Sequence, residues 1–131
     1  MGLKLRLRSG ERLAINGAVI RNPGERSLEI EVMNSSSLLH QKDVMLPEQA
    51  DSFIKRVYLY VQLLHLEPEH NAAHASSYGK MMALARSEAE AKSDSGMLAL
   101  YVAVDALVAK GDYFPALRQM QAVIGKPGET R

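Results

Sequence analysis

The chain has 131 residues, no cysteine, 47% hydrophobic and 24% charged residues, and a formal net charge of +1. That length suits one domain or two small lobes sharing a core, and the missing thiols exclude disulfides, thiolate zinc sites and a cysteine nucleophile together. The charge is uneven: residues 1–26 carry +4 and residues 27–131 carry −3, which points to a localised anionic partner.

The first predicted element is a strand over residues 3–8, Leu3-Lys4-Leu5-Arg6-Leu7-Arg8. Period-two alternation places the leucines on one face and Lys4, Arg6 and Arg8 on the other, about 7 Å apart. A row of cations at that spacing can follow the phosphates of a single nucleic-acid strand. The same pattern also protects an edge strand from pairing with other chains. The opening Met1-Gly2-Leu3-Lys4 has no signal-peptide core, and Arg6 stands where a myristoylation motif needs Ser or Thr. No run of about 18 apolar residues could span a bilayer. The expected location is the cytoplasm, with no membrane partner.

Ser9-Gly10 marks a turn, and 12–15 and 18–21 read as strands joined by Asn16-Gly17, a dipeptide suited to a tight hairpin. Asn22-Pro23-Gly24 turns the chain again, with Arg21 and Arg26 on its flanks. Leu28-Glu29-Ile30-Glu31-Val32 alternates apolar with acidic, so Glu29 and Glu31 share a face that is either solvated or opposed to the cations. Asn34–Ser37 reads as a loop and 38–44 as a last strand. Ser35–Ser37 beside His40 lacks the elbow and oxyanion framework of a nucleophile, so a polar loop is the better reading.

From Pro47 the pattern becomes helical. Apolar residues recur at three- and four-residue spacing over 47–66, and Glu67-Pro68 ends the run. Further helices are expected over 71–91, 97–110 and 114–124, the third capped from Ser93-Asp94-Ser95 and closed by Gly111, the last capped by Asp112 and closed by Gly125. The tail 126–131 is expected to fray. The helix from Met97 is apolar almost all round, which points to a subunit interface and a homodimer. His70 and His74 stand at i and i+4, but no third ligand is fixed and a polar helix start is favoured over a metal site. Met81-Met82 and the stripe Tyr58, Val61 and Leu64 read as core. Lys55-Arg56 opens the first helix and could extend the basic surface; Lys110 and Arg118 stand on the helical lobe, where charge reversal should leave affinity for an anionic strand nearly intact.

Three segments together carry a resemblance. Residues 10–22 (GERLAINGAVIRN), 55–68 (KRVYLYVQLLHLEP) and Gly111-Asp112-Tyr113 with Ala116-Leu117 behind it resemble the flagellar biosynthesis repressor family, FlbT. That resemblance implies a post-transcriptional regulator that associates with the 5′ untranslated leader of flagellin mRNA and alters its translation and stability. Residues 1–46 alone are also similar to the small translational regulator family CsrA, in which RNA lies across the first strand of one chain and the last strand of its dimer partner. Carried over by position, this implies contacts at Leu5, Arg6, Leu7 and Arg8 and at Lys42. Leu7 stands where that family has a basic residue, and Met33-Asn34-Ser35-Ser36 replaces its Asn-Ala-Pro turn.

The expectation is an α+β protein: a small antiparallel sheet in 1–46 that binds RNA, then a four-helix lobe in 47–131. The expected contacts are Lys4, Leu5, Arg6, Leu7, Arg8, Arg12, Arg21, Arg26 and Lys42. Residues 1–46 contain no Phe, Tyr or Trp, so recognition would rest on backbone amides, arginine stacking and hydrogen bonds. No enzyme, metal or cofactor is expected, for lack of a convergent acid–base set. The other reading is a protein-interaction module, a chaperone-like partner of flagellin or of its secretion apparatus, working through its helical faces; flagellin or a flagellar regulatory protein is the expected protein partner.

Overall fold

A computed structural model describes residues 3–15, 18–33 and 38–129. The Asn16-Gly17 turn, the Asn34–Ser37 loop with its serine cluster, and the last two tail residues lie outside the described residues. The architecture is the expected α+β arrangement, antiparallel strands first and helices after.

The strands form two pieces. β1 (Leu3–Leu7) pairs with β4 (Leu28–Val32) as a two-stranded ribbon, and β3 (Ala18–Arg21), β2 (Arg12–Ile15) and β5 (Leu38–His40) form a three-stranded sheet in that order. The ribbon register sets Leu3 against Val32, Leu5 against Ile30 and Leu7 against Leu28, giving one apolar face. Only Leu7 is buried; Leu3 keeps 52% of its surface, Leu28 48% and the following Met33 72%. The three-stranded piece reaches the main core through Ala14 and Leu39, which face each other across β2 and β5.

β5 is shorter than the strand expected over 38–44. It ends at His40, and Gln41–Asp43 forms a 3-10 turn in which the His40 ring accepts the Lys42 N–H. Likewise, the first long helix does not begin at Pro47. Pro47–Gln49 is a separate 3-10 turn, and α1 (Phe53–Leu66) starts behind Ser52, whose hydroxyl accepts the Lys55 N–H. The Ser52 side chain satisfies a helix-end donor, a cap that Pro47 has no side-chain acceptor to supply.

The remaining helices are α2 (Asn71–Ala91), α3 (Ser95–Ala109) and α4 (Tyr113–Ile124). Each of the four helices packs on two others, α1 on α2 and α4, and α3 on α4 and α2. Val57, Tyr58, Val61, Leu64, Met82, Ala85, Tyr101, Val104, Leu117 and Met120 fill the centre. Asp94 Oδ1 accepts the Met97 N–H and starts α3. That helix is covered on one side only: Tyr101 and Val104 are buried, while Ala99, Val102 and Ala106 face solvent.

Polar groups hold the strands to the helices. Gln62 of α1 clamps the Met45 backbone, accepting its N–H at 2.7 Å and donating to its carbonyl at 3.0 Å. The Asp43 carboxylate, 2% exposed, accepts from Arg118 Nη1 at 3.0 Å and from Gln121 Nε2 at 3.0 Å, both on α4. Tyr58 donates its hydroxyl to the Asp43 carbonyl and accepts from Gln121 at 2.8 Å. Burial pushes the Tyr58 hydroxyl well above the usual tyrosine range, so it stays a donor. Arg118 also lies over the Phe114 ring. It is therefore a tie between sheet and helices, and its reversal would disturb folding rather than serve as a neutral control.

Removing Arg118 strands a buried carboxylate. Breaking a fully buried pair costs about 3–5 kcal/mol; Arg118 is 38% exposed, so Arg118→Ala should cost roughly 2–3 kcal/mol after solvent screening. Urea unfolding followed by far-UV circular dichroism measures this, and an unchanged midpoint would refute the role.

Candidate nucleic-acid interface

The expected contact residues fall into three environments. Lys4 and Arg6 project from β1, but the register sets Lys4 directly opposite Glu31 and Arg6 directly opposite Glu29. Opposite charges at such positions attract each other, so the polar face of the ribbon is close to balanced. Leu5 and Leu7 belong to the other, apolar face, Leu5 half-buried and Leu7 buried. Their side chains point away from a ligand lying along the cations, which leaves only their backbone to meet it.

Arg8 lies past the end of the ladder. Its N–H donates to Glu11 Oε1 at 2.9 Å, and its side chain is exposed. Glu11 also faces His40, 3.2 Å away, so this acid is shared between the Arg8 backbone and an imidazole. Arg26 is exposed in the turn after β3, and Lys42 is half-buried in the 3-10 turn rather than on a strand. Lys55 pairs with Asp51 at 3.2 Å, and Arg56 donates to the Ala50 carbonyl at 3.3 Å, so both are engaged beside the helix start.

Arg12 and Arg21 differ from the ribbon cations. They are directly opposite each other on β2 and β3, both exposed, and among the described residues neither guanidinium has a carboxylate partner. They border a cleft of about 470 Å³ between the hairpin, the segment 41–49 and the C-terminal turn Pro127–Glu129. Both residues are readable in the sequence, and their pairing follows from a two-residue connection between 12–15 and 18–21, which sets the register; the cleft they border is not readable, because its other walls come from distant residues.

Asn22 reads in the sequence only as part of a turn, and its structural role is larger. Its side chain is 2% exposed; Nδ2 donates to the Leu7 carbonyl at 3.0 Å and to the Arg26 carbonyl at 2.8 Å, and Oδ1 accepts the Gly24 N–H at 3.0 Å. Its backbone bonds Glu11 and Gly10. Gly10 holds φ +75, a conformation that side-chain-bearing residues rarely adopt, and so lets its N–H reach the Asn22 carbonyl at 2.7 Å. One asparagine thus joins the ribbon to the hairpin and fixes the basic strand relative to Arg12 and Arg21.

Elsewhere, His74 bonds Glu67 at 2.8 Å with His70 edge-on to it, and among the described residues no group of three His, Asp or Glu converges as metal ligands would. No described helix is long and apolar enough to cross a membrane. Tyr58, Val61, Leu64 and Met82 are core, as their spacing indicates.

Residues 3–127 match the family model described as Flagellar protein FlbT. The chain is 29% identical over 127 residues to the probable flagellum biosynthesis repressor protein FlbT of Brucella anthropi, covering 97% of this chain and 80% of that protein. It is 32% identical over 121 residues to the probable flagellum biosynthesis repressor protein FlbT 2 of Bradyrhizobium diazoefficiens, covering 92% and 85% respectively. The Brucella ovis protein of the same description is 28% identical over 127 residues, covering 97% of this chain and 80% of that protein. No solved structure matches the chain.

The joint at Asn22 can be tested directly. Asn22→Ala leaves the buried Leu7 carbonyl without its donor, a loss of about 2–3 kcal/mol once the other two side-chain bonds are included. Hydrogen exchange should accelerate in β1 and β4 while the amides of α2 keep their protection; equal acceleration everywhere would show that Asn22 does not hold the ribbon in particular.

Proposed function

The chain belongs to the FlbT family of flagellar proteins, and from that membership we propose that it regulates flagellum biogenesis after transcription, binding the 5′ untranslated leader of flagellin mRNA and altering its translation and stability. The description of its relatives as probable repressors supports a repressive effect. Binding rather than catalysis is its work, carried out in the cytoplasm where the message is translated. The observation that supports placing RNA on the sheet is its charge: with Glu29 and Glu31 counted, residues 1–46 still carry +2 against −1 for residues 47–131, and Arg12 and Arg21 are exposed with no acid across from them. Phosphate neutralisation favours that end of the molecule.

Residues 1–46 form the binding part and 47–131 the part that dimerises or recruits a flagellar partner. A homodimer fits the half-exposed apolar face of the ribbon and the open side of α3. Sedimentation at micromolar concentration should report twice the monomer mass; a monomer at all concentrations would overturn this point.

Arg6→Glu with Arg8→Glu should weaken leader binding and lower the log–log salt slope by roughly 0.7 for each phosphate no longer neutralised. Placing a glutamate opposite Glu29 adds a like-charge pair of about 0.2–1 kcal/mol, too little to unfold the protein. Lys80→Glu with Lys110→Glu, both exposed on the helical lobe, is the control and should leave affinity nearly intact. Equal weakening by both pairs would refute placement on the sheet. Capture of flagellin polypeptide rather than leader RNA on crosslinking in cells would favour a chaperone-like role instead.

A further inference from the structure

We propose that the cleft between the β2–β3 hairpin and the C-terminal turn seats a single nucleotide, its phosphate on Arg12 and Arg21 and its base against the apolar end. The proposal deepens the RNA-binding reading and rests on it for the source of that nucleotide, one residue of a single-stranded leader.

Alternate residues of the two strands build one wall. Arg12 faces Arg21 and Ala14 faces Val19, so the wall is cationic at one end and apolar at the other. Val44 and Leu46 continue the apolar part on the opposite side, from a segment held in place by the Gln62 clamp on Met45. A volume of about 470 Å³ lies within the roughly 300–1,000 Å³ of small-molecule clefts. The remaining wall is the C-terminal turn: Pro127 is buried, its carbonyl accepts Gln49 Nε2 at 3.1 Å, and a Cβ at Gly128 would collide with the Gln41 carbonyl. Only glycine lets this turn close so tightly on the segment after β5.

Charge identifies the ligand class. Two guanidinium groups directly opposite each other destabilise a ladder, and among the described residues no carboxylate lines the cleft to relieve them. Glu11, the acid nearest in sequence, is turned to the Arg8 N–H and His40. Lys4 and Arg6, by contrast, have Glu31 and Glu29 across from them. Guanidinium forks match phosphate oxygens in bidentate fashion, so a phosphate bridging Arg12 and Arg21 would convert repulsion into attraction. The apolar end beside that pair gives a base a hydrophobic surface, with Val19 and Leu46 exposed to receive it, which a bare phosphate would leave unused.

The test uses the full chain with adenosine and guanosine 5′-monophosphate, inorganic phosphate, the unphosphorylated nucleosides and the leader RNA, observed by NMR amide shifts and calorimetry. Nucleoside monophosphates should shift Arg12, Arg21, Val44 and Leu46, binding at least tenfold tighter than phosphate or nucleoside. Arg12→Gln with Arg21→Gln should abolish those shifts and lower the RNA salt slope by roughly 0.7, for the one phosphate that the pair neutralises. The double variant should melt no lower than the native chain, which separates loss of a ligand from loss of the fold. Phosphate binding as tightly as the monophosphates would overturn the nucleotide assignment, and unchanged shifts in the double variant would overturn the site. If the Arg6 and Arg8 reversals weaken leader binding while the Arg12 and Arg21 variant does not, the cleft proposal fails and the RNA reading stands. If monophosphates bind in the cleft but the leader does not bind at all, the cleft stands and the RNA reading fails.

Discussion

A buried carboxylate needs donors, and the placement of the sheet on the helices follows from where Asp43 finds them. An ionised group at 2% exposure is tolerated only when paired and hydrogen-bonded. Arg118 and Gln121 reach it from α4, and Tyr58 of α1 holds the same residue by its carbonyl. One residue just beyond β5 is thereby fixed by two helices at once. Gln62 secures Met45 two residues later, and the His65 ring is hydrogen-bonded to the carbonyl of Leu38, at the start of β5, at 2.8 Å. Strand β5 enters the core through this short, thoroughly bonded segment, and the hairpin beside it gains a fixed orientation. The cleft below Arg12 and Arg21 has a shape because that segment does.

Two kinds of basic surface result from the same small sheet. The ribbon carries its cations against acids of β4, which limits its potential while leaving it unattractive to other strand edges. The hairpin carries its cations against each other. Family membership supplies the flagellar context, and the physical difference between the two surfaces is one of potential: the ribbon's is limited by its own acids, whereas the arginines of the hairpin face each other with no acid between them.

Local rules are legible in the sequence. The bounds of α2 follow from Glu67-Pro68 before it and from the Ser93-Asp94 cap after it, because caps and prolines act within a few residues. Strand positions up to Val32 are equally readable from alternation and turn residues. Pairings set by distant residues are not. The Asp43–Arg118 contact spans 75 positions, and nothing near Asp43 distinguishes a buried anion from a solvated one. For the same reason Lys42 reads as part of a strand: the turn that removes it depends on His40 and on the pull of Asp43 toward α4. At the candidate site the residue types and the Arg12–Arg21 pairing are visible, and the walls that residues 41–49 and 127–129 add to the cleft are not. The complementarity of Lys4-x-Arg6 with Glu29-x-Glu31 is a readable hint, since acids and cations at matching period two suit adjacent antiparallel strands.

The Asp43–Arg118 pair also constrains the order in which such a protein can change. Arg118 is 38% exposed and can turn its guanidinium toward water if the carboxylate disappears first. Asp43, 2% exposed, has no such exit if the arginine disappears first. A lineage drifting toward an apolar joint between sheet and helices would therefore replace the acid before the base. The intermediate sequences it passes through should keep arginine opposite a neutral residue and seldom the reverse.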